Sequence, residues 1–114
     1  MKKGFTFILT EKDSCGGIKS LDKVFKSENY KYLMQSNQDI FPILSELELN
    51  DEDSYGPNFM PQLIRELTIL LSKVKNLDWK EHIHQIIIMA EVCKRHKNMT
   101  LICTPFGEYY NNSI

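Results

Sequence analysis

The amino-acid sequence predicts an α+β fold. Two long segments in the second half of the chain carry apolar residues at three- and four-residue steps, and two β-favouring stretches lie near the ends, giving the order strand, helix, irregular segment, helix, helix, strand. The simplest closure is a small sheet including the N- and C-terminal strands, packed against the two long amphipathic helices and a shorter N-terminal helix. A chain of 114 residues, 42% hydrophobic, fits one domain spanning residues 1–114. At that size folding removes roughly two-thirds of the unfolded surface from water.

The first strand is expected over Gly4 to Thr10, where Phe5, Phe7 and Leu9 alternate with Thr6, Ile8 and Thr10. Glu11 to Gly17 reads as its turn. Ile18 to Tyr32 places Ile18, Leu21, Val24 and Phe25 near helical spacing and is read as the short N-terminal helix. Ser36 to Asp39 is loop chemistry, and Pro42 keeps Phe41 out of the helical region. Ile43 to Leu49 fits an irregular or one-turn element.

The first long helix, about residues 58–75, carries Phe59, Met60, Leu63, Ile64, Leu67, Leu70, Leu71 and Val74 on one face, with Arg65, Glu66, Ser72, Lys73 and Lys75 opposite. Asn58 is the expected N-cap, and Pro61 falls in the first turn, where a missing N–H costs little. The second long helix, about 79–97, has Trp79, Ile83, Ile86, Ile87, Ala90 and Cys93 inward. Asp78 and Glu81 are spaced as a capping box, and Lys94, Arg95, His96 and Lys97 put positive charge at the negative end of the helix dipole, with Asn98 just beyond it. Met99 to Thr104 is the closing strand, stopped by Pro105, and the tail 106–114 is expected to be partly ordered. Two strands make a marginal sheet, so a third is expected from the middle segment or from a partner.

Net charge, −1, conceals a division. Residues 1–31 carry +3, residues 32–64 carry six acids and no Lys or Arg, and residues 65–114 carry +2. Within the acidic third, Glu46, Glu48, Asp51, Glu52 and Asp53 fall in eight consecutive positions. Such a segment focuses negative potential, disfavours nucleic acid and favours docking of a cationic partner. Its neutral counterpart is a solvated loop that keeps the protein soluble.

Catalytic and metal chemistry fit poorly. Asp51 to Gly56 begins like a calcium loop but has Tyr55 at position five and Gln62 at position twelve, where a bidentate Glu belongs. His82 and His84, two apart on a helix, point in nearly opposite directions and read as helix-surface residues rather than zinc ligands. Gly16-Gly17 lacks the Lys and Ser/Thr of a phosphate loop. Cys15, Cys93 and Cys103 form no Cys-x-x-Cys pair, which points to a reducing cytosol, with Cys93 and Cys103 as core thiols and Cys15 exposed. The apolar run of the N-terminus is too short for a signal peptide, and no segment approaches the ~20 apolar residues of a membrane span. The expectation is a cytoplasmic protein that is not an enzyme, with no cofactor, no metal and no catalytic residue.

Phe41-Pro42-Ile43-Leu44, Asp51-Glu52-Asp53-Ser54-Tyr55, Leu63-Ile64-Arg65-Glu66-Leu67, and Ala90-Glu91-Val92-Cys93 leading to Leu101-Ile102-Cys103 together resemble small bacterial immunity proteins of polymorphic toxin systems, including contact-dependent growth inhibition. The resemblance spans roughly residues 40–108. It implies a protein that binds its cognate toxin domain and blocks it without catalysis of its own. Nuclease toxins need cationic clefts, which an acidic segment can enter as a phosphate mimic. On this reading Glu46, Glu48, Asp51, Glu52 and Asp53 are partner-binding, with Tyr55 as aromatic anchor. The alternative is a small non-catalytic regulatory or assembly module that binds another cellular protein.

Overall fold

In a computed structural model the described residues are 3–106, so the expected ordering of the tail lies outside them except at Phe106. The N-terminal strand β1, Thr6–Lys12, runs antiparallel to both of its neighbours: β2, Ile18–Phe25, and β4, Met99–Thr104. A short edge strand, β3, Asp53–Tyr55, pairs antiparallel with β4 and gives the order β2-β1-β4-β3. The α+β class is therefore as expected, and the third strand comes from the acidic middle segment.

The N-terminal helix is the principal correction. Ile18–Phe25 is a strand, and helix is left only in the single turn α1, Tyr30–Leu33. A tight turn sets this up: the Asp13 carboxylate accepts from the N–H groups of Cys15 (2.9 Å) and Gly17 (2.7 Å), while Gly16 takes φ +87°, a conformation that favours glycine. The returning chain meets the free edge of β1. Leu9 then pairs with Asp22 and Thr10 with Ser20, leaving Leu21 as a bulge. One extra residue resets the two-residue alternation, which is why the apolar spacing imitates a helix.

The two long helices are α2, Met60–Lys73, and α3, Leu77–Lys94. Their starts differ from expectation. Asn58 lies in a 3-10 turn, Pro57–Phe59, and Phe59 precedes α2 without a side-chain cap. Asn76 rather than Asp78 caps α3, its side chain accepting from Trp79 N–H at 3.2 Å, with Asp78 in the first turn where negative charge suits the helix dipole. At the far end Asn98 offers its carbonyl to Lys12 N–H at 2.9 Å, joining the end of β1 to the approach to β4.

Phe5, Phe7 and Leu9 of the β1 segment and Leu101 and Cys103 of β4 share one core with Leu63, Leu67 and Leu70 of α2 and Ile83, Ile86, Ala90 and Cys93 of α3. Phe41, Leu44 and Leu47 complete it from the middle segment, bracketing a 3-10 turn at Leu44–Glu46. Both helices lie on the sheet face that carries Leu101 and Cys103, and so does the inner face of β3. No helix among the described residues is long and apolar enough to cross a membrane.

Candidate partner-binding surface

The acidic segment is not a continuous loop. Glu46 closes the 3-10 turn, Glu48 and Asp51 are exposed on the connection that follows, and Asp53 and Tyr55 belong to β3. Register places Asp53 opposite Cys103 and Tyr55 opposite Leu101, so both project toward the helical side, while Ser54 projects to the other. Tyr55 packs against the core and Asp53 is partly buried beside it.

A fully buried carboxylate, Glu66, holds the segment in place. Its two oxygens accept from Ile43 N–H at 3.0 and 3.1 Å, and one of them also takes Leu44 N–H at 2.9 Å; Gln62 donates to the other at 2.8 Å. These bonds satisfy the open N–H groups at the start of the 3-10 turn and fix the turn that carries Glu46. Glu66 was expected on the polar face of its helix. It lies inside because the chain folded across that face supplies donors that no solvated position could.

Electrostatics bring most of the expected acids together. Burial raises the proton affinity of Asp53, and repulsion from Asp51, Glu46 and Glu52 raises it further. Glu48 is not among these neighbours. The ion pairs among the described residues join Lys31 to Glu28 and Glu91 to Lys94 and Arg95, and none of them takes Glu46, Glu48, Asp51 or Asp53. The Tyr55 hydroxyl is likewise held protonated, chiefly by burial and next by Asp53.

Phe59 is the aromatic that the sequence reading assigned to the core. It is 53% exposed and meets Tyr55 edge to face at 5.9 Å between ring centroids. Tyr55 is thus the packed base of an aromatic pair, and Phe59 its accessible tip. Exposed Phe59 beside the first turn of α2 could have been suspected from Pro57 and Pro61, which flank it and make the helix begin late.

Other candidates resolve as follows. Cys93 and Cys103 are buried, with thiol pKa values pushed up mainly by burial, and Cys15 is exposed. His84 is exposed, but His82, expected on the surface, is only 3% exposed. Among the described residues no three His, Cys, Asp or Glu side chains converge in a way that could hold a metal ion.

Comparison of the chain with protein-family models, with curated proteins and with solved structures gave no match.

Proposed function

We propose that this protein is an immunity-type inhibitor that binds a cationic protein surface, the substrate cleft of a toxin domain, through Glu46, Glu48, Asp51, Glu52 and Asp53, with the Tyr55–Phe59 pair as the apolar contact. The observation that carries this reading is the crowding of acids around Asp53. A fold selected only for stability gains nothing from holding Asp51, Glu46 and Glu52 where their charge raises the proton affinity of Asp53. A basic partner converts that repulsion into attraction on contact, which speeds association and selects for charge. The resemblance across residues 40–108 supplies the choice of toxin as partner; the electrostatics supply only its sign.

The direct test is binding of the polypeptide encoded by the neighbouring reading frame, measured by calorimetry across a salt series. Binding that weakens steeply with salt and blocks the toxin supports the proposal. Salt-independent binding, or recovery of a housekeeping complex in place of the toxin, rejects it.

A further inference from the structure

Asn29 is fully buried, and its amide is oriented by main chain on both sides: Oδ1 accepts from Phe5 N–H at 2.7 Å, and Nδ2 donates to Phe5 C=O at 2.8 Å. No other orientation serves both groups. The second hydrogen of Nδ2 therefore points at His82 Nε2, 3.1 Å away, so that nitrogen must be the acceptor and the ring proton must sit on Nδ1. An imidazolium donates from both nitrogens, and its Nε2–H would meet the Asn29 amino group head on. Turning the amide to suit it would set oxygen against the Phe5 carbonyl and NH2 against the Phe5 N–H.

The ring has somewhere to go. His82 forms part of the wall of a cavity of about 230 Å³ shared with Phe25, Lys26, Asp78, Glu81 and Gln85. Of the charged groups there, Lys26, from the loop after β2, opposes a proton on His82, while Asp78 and Glu81, from its own helix, would receive one. On the other side the Tyr32 ring of α1 meets His82 edge to face at 6.3 Å and stacks on Trp79 at 4.6 Å. The Tyr32 hydroxyl is buried without a hydrogen-bond partner among the described residues.

We propose that His82 and Asn29 form a proton-operated latch: the neutral ring is held against Asn29, and the protonated ring swings into the cavity toward Asp78 and Glu81, releasing the edge contact that props the Tyr32–Trp79 stack. Burial first, and Lys26 second, lower the His82 pKa from 6.5 to about 4. The folded protein thus binds this proton roughly 300-fold more weakly than the unfolded chain. The unfolded chain takes up the proton first, so the latch contributes its full stability above about pH 6.5 and loses it progressively as pH falls toward 4.

The test needs only the intact protein. Nitrogen-15 NMR of the wild type should show His82 as the Nδ1–H tautomer at pH 7, and a proton titration should place its protonation near pH 4. Fluorescence of Trp79, the single tryptophan, should change in step with that protonation, and His82→Gln, whose amide oxygen can still accept from Asn29, should abolish the change. An Nε2–H tautomer, titration near 6.5, or a Trp79 response that persists in His82→Gln would each overturn the latch. If His82→Gln fails to fold, the wild-type tautomer and titration decide it.

Discussion

Glu66 and Asp53 carry the same functional group about a dozen residues apart in sequence, yet the fold treats them in opposite ways. Glu66 is fully buried and surrounded by donors, two backbone N–H groups and the Gln62 amide. Asp53 is only partly buried and is ringed by Asp51, Glu46 and Glu52. The deeper carboxylate is the satisfied one, and the shallower one is kept in want of a cation. Burial alone therefore does not distinguish a satisfied carboxylate from one held among like charges; the company each keeps does.

Removing the satisfied one should have the largest effect. Glu66→Ala leaves two N–H groups at a buried turn without acceptors and should cost about 3 kcal/mol, read as a lower denaturation midpoint at unchanged slope. A loss under ~1 kcal/mol would mean that water replaces the carboxylate, and the contrast with Asp53 would collapse. Next comes charge reversal at the exposed acids: Glu46→Lys with Glu48→Lys and Asp51→Lys should weaken toxin binding on the order of 100-fold and flatten its salt dependence, with an unchanged far-UV circular dichroism spectrum.

Phe59→Ala tests the aromatic tip. Roughly tenfold weaker binding with unaltered thermal stability is expected from an exposed anchor, whereas an equal loss of stability would return Phe59 to the core. The smallest effect is the most diagnostic. Asp53→Asn should stabilise the free protein by about 0.5 kcal/mol at pH 7 while weakening the complex, because it relieves a repulsion that only the partner can use. The pH dependence follows with the same sign: since the folded-state pKa of Asp53 is raised, acidification neutralises it sooner than an ordinary aspartate, and a binding titration should show affinity beginning to fall at a higher pH than in Asp53→Asn.

The two long helices and both terminal strands were legible because their periodicities run unbroken for several residues. The β2 strand was not, since the bulge at Leu21 erases the alternation that would have announced it. The acids themselves were legible as composition, but their convergence on Asp53 depends on β3 adding to β4, a pairing of positions fifty residues apart. Glu66 and His82 left a signal that amphipathic analysis passes over. Leu63, Glu66, Leu67 and Leu70 form a regular apolar stripe with one polar member, and Trp79, His82, Ile83 and Ile86 form another. A polar residue in the i+3 slot of such a stripe is carried inward by the helix whatever its chemistry, and the fold must then furnish a partner. Glu66 receives Ile43 and Leu44; His82 receives Asn29.

The order β2-β1-β4-β3 sets the most distant segments side by side at the centre of the sheet, where Thr10 reaches the carbonyl of Thr100 across ninety residues of chain. Closing so long a loop costs more chain entropy than closing the hairpin of β1 and β2, which are neighbours in sequence, and that hairpin alone leaves the inner edge of β1 open. Until β4 arrives to seal that margin, β3 has nothing to lean on, and a newly made copy has neither a finished sheet nor a shaped acidic face. The shape of the acidic face is thereby tied to the pairing that closes the longest loop in the sheet.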